Sequence, residues 1–202
     1  MLIPKVLDNK SKLLIAIAFA GWMTLLACRV DVKDHNDGGS DKVDIETPIG
    51  GIHVNEQADV RDIGLPVYPG ARQKEKEKEG DSKSANVNIS SSFFGVKVVA
   101  IEFESTDPPN KVLSFYREQL KKYGRVVECH TDKHGGDLSV KAGNRKSQGS
   151  REVSCEGDNT GTVVELKAGT EENQHLVSVE AQGAGSDFAL VYILTRGEQG
   201  TI

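Results

Sequence analysis

Residues 96–124 read VKVVAIEFESTDPPNKVLSFYREQLKKYG, and this stretch decides the fold. Its first nine positions are apolar on both faces, with Val96, Val98 and Ala100 against Val99, Ile101 and Phe103. A strand of that composition belongs in the middle of a sheet. The apolar period then changes from 2 to about 3.6. Over 108–123, Val112, Tyr116, Leu120 and Tyr123, with Leu113, fall on one stripe, and Phe115 lies at its edge. Asp107 is placed to cap the helix, Pro108 suits its first position, and Gly124 suits a left-handed stop. Lys121 and Lys122 in the last turn complement the helix dipole.

Strand patterns recur on both sides. NVNISSSF (86–93) alternates Val87, Ile89 and Phe93 against Asn86, Asn88, Ser90 and Ser92, and turns into the central strand through Phe94-Gly95. Beyond the helix, 125–131, 137–142, 151–156, 162–168, 174–181 and 187–196 read as strands parted by Gly-rich or Asn-rich turns. The last is again apolar on both faces, and no helical period follows residue 124. The fold class expected is α+β, an antiparallel β-sheet with one long amphipathic helix packed on one face.

Upstream, LPVYPGA (65–71) predicts a type II turn at Tyr68-Pro69-Gly70-Ala71, a rigid corner packing Leu65, Val67 and Tyr68 on the core. RQKEKEKEGDSKS (72–84) alternates Lys and Glu so evenly that neither face suits burial, which predicts a solvated edge or loop. VDIETPIGGIHV (43–54) reads as a β-hairpin around Pro48 and Gly50-Gly51. The polar 55–64 joins it loosely to the body, so 43–64 is expected as an arm and linker and 65–198 as a single α+β domain. Residues 28–42 are polar around Asp37-Gly38-Gly39-Ser40, the pattern of a flexible tether.

The chain of 202 residues opens with Lys5, Lys10 and Lys12, followed by an uncharged run, LLIAIAFAGWMTLLA, over 13–27. That run is short for a span of about 20 residues, and its layout is that of a secretory signal peptide, 1–27. It ends Leu25-Leu26-Ala27-Cys28, which resembles the lipobox of bacterial lipoproteins, with Leu at −3, a small residue at −1 and Cys at +1. The resemblance implies that the Cys28 thiol carries a diacylglycerol and that the signal is cut before it. Arg29 stands where an inner-membrane retention Asp would be, which points to the outer membrane, facing the periplasm. Cleavage would remove three bases and one acid, leaving 175 residues at a formal charge of −7. Such a body is held to the membrane by its N-terminal lipid and not by charge. Its acidity also argues against nucleic-acid binding.

Cys129 and Cys155 remain after Cys28, an even pair in an exported chain. Alternation puts Cys129 with Val127 and Cys155 with Val153, so both thiols can share a buried face and form a disulfide. Closing that loop would stabilise by about 3 kcal/mol in the chain-entropy account.

Leu65–Ala71 together with Asp107–Gly124, written LPVYPGA and DPPNKVLSFYREQLKKYG, resembles a domain that recurs in bacterial cell-envelope proteins. The resemblance covers most of 60–196. It implies an exported single-helix α+β module and brings no catalytic residues with it.

Motifs for chemistry are sparse. No G-x-S-x-G, H-E-x-x-H, P-loop or G-x-G-x-x-G occurs, and Gly183-Ala184-Gly185-Ser186 reads as a turn between strands. Cys129 and His130 are neighbours on a strand and point to opposite faces, which separates nucleophile from base. His130, Asp132 and His134 form a thin metal pattern, and they are the place where an envelope hydrolase would build a loop site. The expectation is instead a non-enzymatic binding or structural module, with no catalytic residue, metal or cofactor assigned. Its partner would be an envelope protein or a small apolar ligand, met by Tyr68, Phe94 and Phe115.

Overall fold

The structure is a computed structural model, and it describes residues 29–33, 42–55, 57–75, 84–132, 151–157 and 159–196. Ten strands and one α-helix follow in chain order. They are β1 (Arg29–Lys33), β2 (Lys42–Thr47), β3 (Gly50–Asn55), β4 (Arg72–Gln73), β5 (Ser84–Ser91) and β6 (Gly95–Ser105). Then come α1 (Pro109–Leu120), β7 (Val127–Thr131), β8 (Val163–Thr170), β9 (Asn173–Gln182) and β10 (Gly185–Arg196). All ten strands join one sheet in the order β1-β2-β3-β5-β6-β10-β9-β8-β7, with β4 also on β6. Every pairing is antiparallel. The expected α+β class, with one helix on one face of an antiparallel sheet, is the observed one.

The register sets the two faces. Phe188 lies opposite Phe103, Leu190 opposite Ile101 and Tyr192 opposite Val99. These side chains, with Val177, Val179, Leu166 and Ala168, form the face that α1 covers with fully buried Val112, Tyr116 and Leu120. Burial of each large apolar side chain contributes about 1.5–3 kcal/mol. Ala189, Val191, Ile193 and Leu176 make a second, smaller cluster on the other face, with Val98 and Ala100 against it. That second face continues through Val87 and Ile89, Val54 and Ile52, and Val43 and Ile45, paired rung by rung. On the same strands the helix-side face is polar, with Asn86, Asn88, His53 and Asp44. The apolar side of the sheet therefore changes from one half to the other, and β6 and β10, shared by both, are apolar on both faces.

Several expectations are corrected. The 43–54 hairpin is not a separate arm, because β3 pairs with β5 along its whole length. The 55–64 linker is not loose. It turns through a short 3₁₀ segment, Val60–Asp62, and buries Ile63 completely. Arg29–Lys33, expected inside the tether, is strand β1 on β2, which supplies the backbone partners that a polar sequence would otherwise find in water. Arg72–Gln73, expected as part of a solvated edge or loop, pairs with β6 although both residues are exposed. Gln73 lies opposite Phe103 and Ser84 opposite Ile101, so β4 and β5 meet β6 on either side of Glu102, whose carbonyl accepts from the Lys74 N–H. Residues 151–156 do not form a strand; Glu152 alone makes a bridge, to Thr170. Val67 is 36% exposed and does not join the core as Leu65 and Tyr68 do.

The helix also differs at its ends. Pro108 is the N-cap residue in extended conformation, and Pro109 takes the first helical position. The Asp107 side chain does not cap. Gly124 has φ +128° and ψ −158°, a positive φ but not the left-handed helical stop. Residues 1–28, with the signal and Cys28, lie outside the described residues, as do tether positions 34–41, most of the charge run, the 137–142 strand and His134. Among the described residues, no helix is long and apolar enough to cross a membrane.

Candidate functional site: a groove beside the helix N-terminus

The type II turn forms as the sequence requires. The Ala71 N–H donates to the Tyr68 carbonyl at 3.0 Å, and Gly70 adopts φ +81°. Two bonds from one phenol fix this segment to the helix. The Tyr116 hydroxyl accepts from the Tyr68 N–H at 3.0 Å and donates to the Pro66 carbonyl at 3.1 Å. Burial pushes the Tyr116 phenol well above its usual pKa, so it stays a neutral donor. Tyr68 is then held with its ring edge-on to Phe115, 5.3 Å between centroids.

Between this segment and the first turns of α1 lies an open groove of about 420 Å³. Tyr68, Pro69, Asp107, Asn110, Lys111, Ser114 and Phe115 line it. Asp107 accepts from the Tyr68 hydroxyl at 2.9 Å and from Lys111 Nζ at 2.8 Å. The Lys111 bond first, and the Tyr68 bond second, hold the Asp107 carboxyl below its usual pKa. The same contact holds Lys111 above its own. Desolvation, reinforced by the bond to Asp107, raises the Tyr68 phenol. At neutral pH the groove thus presents an ion pair, a neutral phenol and the rings of Tyr68 and Phe115. General acid–base catalysis needs a group poised near the working pH, and these shifts all run away from it.

Of the expected contact residues, Tyr68 and Phe115 come together in this groove. Phe94 does not join them. It lies in the β5–β6 turn, and the register of β6 carries that turn to the far end of the sheet from Asp107. Cys129 and Cys155 are joined as a disulfide. Its sulfur cannot serve as a thiolate nucleophile beside His130, whose ring lies 3.8 Å from the Glu128 carboxylate. Asp132 is exposed at the end of β7. No group of three or more His, Cys, Asp or Glu side chains is arranged to hold a metal among the described residues.

Two features escaped the sequence reading. Asp107 was expected to cap the helix, yet the Asp107-to-Lys111 spacing of four is itself the signal of a helix-face ion pair. His175, expected only as the start of a strand, stacks on Tyr123 at 3.5 Å and leans on Tyr192 at 4.9 Å. Its Nδ1 donates to the Ile63 carbonyl at 2.9 Å, and burial holds the imidazole down to about pKa 4. No sequence pattern announces this contact, because 112 residues separate the partners.

No protein-family model matches the chain, and no curated protein or solved structure matches it significantly.

Proposed function

We propose that this is an exported, lipid-anchored protein of the bacterial cell envelope, and that its α+β domain is a non-enzymatic binding module. The lipobox-like Leu25-Leu26-Ala27-Cys28 supports the anchor, with Cys28 as the acylated residue and the outer membrane, facing the periplasm, as its address. The observation that carries the binding role is the groove of Tyr68, Asp107, Lys111 and Phe115. It offers two aromatic rings beside a satisfied ion pair, the composition of a recognition surface. An apolar or aromatic side chain of an envelope protein, or a small apolar ligand, fits its chemistry. The resemblance of Leu65–Ala71 and Asp107–Gly124 to an envelope domain supports the same reading, and both stretches wall the groove.

Intact mass measurement of protein extracted from native membranes in mild detergent tests this. The expected species lacks residues 1–27 and carries acyl mass on an N-terminal Cys28. An unmodified Met1 would overturn the anchor. In the native spectrum the expected result is a bound partner or ligand that Phe115→Ala releases. A bound species indifferent to that change would remove the groove from the account.

A further inference from the structure

Of the five large hydrophobic side chains most exposed among the described residues, three gather at one end of the sheet. Ile49, 70% exposed, sits in the β2–β3 turn. Phe93 and Phe94, 61% and 44% exposed, sit in the β5–β6 turn. The two turns touch, the Ser92 N–H donating to the Ile49 carbonyl at 3.3 Å. The aromatic turn is ordered from within. Ser91 Oγ accepts from the Phe93 and Phe94 amides and donates to the Phe94 carbonyl at 3.1 Å. Displaying two phenylalanines on a braced turn is unfavourable in water and calls for a partner.

The sheet register says what stands next to them. Arg29 pairs with Glu46, one residue before Thr47 ends β2 and the chain turns through Pro48 and Ile49. Cys28 is covalently next to Arg29. Between β1 and the Phe93-Phe94 turn lie three interstrand steps, about 14 Å. An acyl chain on Cys28 would therefore start from the same end of the sheet as the three exposed side chains. We propose that this end is a lipid-contact tip: Ile49, Phe93 and Phe94 enter the headgroup–acyl boundary of the bilayer to which Cys28 anchors the chain. The inference rests on the lipid-anchor reading above and adds an orientation to it.

The chemistry fits a lipid surface better than a protein. A stable protein interface buries about 800 Å² on each side, more than three side chains on two turns can offer. Small aromatic and aliphatic protrusions suffice for an interfacial contact that an acyl chain has already made local. Arg196 ends β10 opposite Gly95, beside the aromatic turn, while the Glu171-Glu172 turn lies at the same end on β8–β9. With both signs present, apolar contact carries the docking and anionic headgroups do not.

The only tryptophan is Trp22, inside the expected signal, so the processed chain offers a dark background. The test places one tryptophan in the full chain, expressed with its own signal, as Phe93→Trp, as Ile49→Trp, or as Ala184→Trp. Ala184 lies in the β9–β10 turn at the far end of β10, about 36 Å away at 3.3 Å per residue. Each protein is reconstituted into phosphatidylethanolamine–phosphatidylglycerol vesicles with and without brominated acyl chains, and its intact mass is taken. The expected result is that bromination dims the Phe93→Trp and Ile49→Trp emissions at least twofold and leaves Ala184→Trp unchanged. Equal, weak quenching at all three sites in protein that carries the acyl mass would overturn the tip and leave the anchor standing. Emission at position 93 that neither bromine nor aqueous acrylamide reaches would also overturn it, as burial against protein. Absence of the acyl mass would instead sink the anchor, and the tip with it.

Discussion

His175 shows what one residue contributes when the chain closes over it. Its ring lies between Tyr123 and Tyr192, and its Nδ1–H donates to the Ile63 carbonyl. That contact pins the segment entering the corner at Leu65 onto β9. Gly64 permits the approach, with φ +75° and the space of its missing Cβ only 2.6 Å from the Tyr123 hydroxyl. Lys122 also opposes a charge on the ring, though burial is the larger cause of its low pKa. The folded imidazole titrates at about 4 and the unfolded one at 6.5. Between these values the unfolded chain binds a proton that the folded chain refuses. The stability contribution is therefore complete above pH 6.5 and is lost as the pH falls toward 4. A loss on the order of 2 kcal/mol is expected across that window, with a slope no steeper than about 1.4 kcal/mol per pH unit. Urea denaturation at intervals from pH 7.5 to 4 measures it. His175→Phe keeps a ring in the stack and removes the titration, so its profile should be flatter over the same window. A variant as steep as the parent would assign the slope to other groups.

At the scale of elements, the edge strand β7 shows how a weak strand is secured. It is five residues long, lies last in the sheet order and pairs only with β8. The Cys129–Cys155 disulfide fastens it to the segment that leads toward β8, and Val153 is buried beside this crossing. The Arg117–Glu128 ion pair ties its helix-side face to α1. The bridge spans 26 positions of chain, so its loss should cost about 3 kcal/mol in the chain-entropy account. Cys129→Ser with Cys155→Ser, compared with the parent by denaturant midpoint with and without reductant, checks this. Reductant should move the parent to the variant's midpoint and leave the variant where it is. Equal midpoints for the oxidised parent and the variant would mean that the bond constrains nothing. The same region marks where sequence was legible and where it was not. β6, β10 and α1 are plain because two-faced apolar runs and a 3.6 period have few alternatives. Val153 and Cys155 mimic the alternation of a strand, yet their burial comes from a disulfide crossing and not from a ladder. β1 and β4 carry too few apolar positions to be read, since they exist through the strands they pair with. In the groove, Tyr68 and Phe115 could be picked as aromatic contacts, but Asp107 was misread as a cap: its Lys111 partner follows from a spacing of four, while its Tyr68 partner is brought by the corner at Pro69-Gly70.

Across the whole molecule, the sheet order arranges stability as a gradient and sets the groove and the exposed turns at opposite ends. β6 and β10 sit in the middle, joined by eleven opposed residue pairs, and carry apolar side chains on both faces. β1 and β7 lie at the two edges. The Tyr68–Phe115 groove lies beside the start of α1, near where β6 ends at Ser105, while the Ile49, Phe93 and Phe94 turns lie where β6 begins at Gly95. Docking through the turns would therefore leave the groove facing away from the bilayer, free to meet a partner. Local opening costs less where fewer buried contacts must break, so amide exchange should follow the sheet order. The slowest amides are expected within Val99–Phe103 and Leu190–Ile193, which only global unfolding can expose. β1 should exchange fastest, because it has one neighbour, β2, and no covalent tie to the sheet beyond the chain itself. β7, equally peripheral, should be slower than β1 while the disulfide is intact and should approach it on reduction. Hydrogen-exchange mass spectrometry, oxidised and reduced, resolves all four segments in one experiment. Protection at β1 equal to that of β6 would mean that the first strand belongs to the cooperative core, and the gradient along the sheet order would have to be given up.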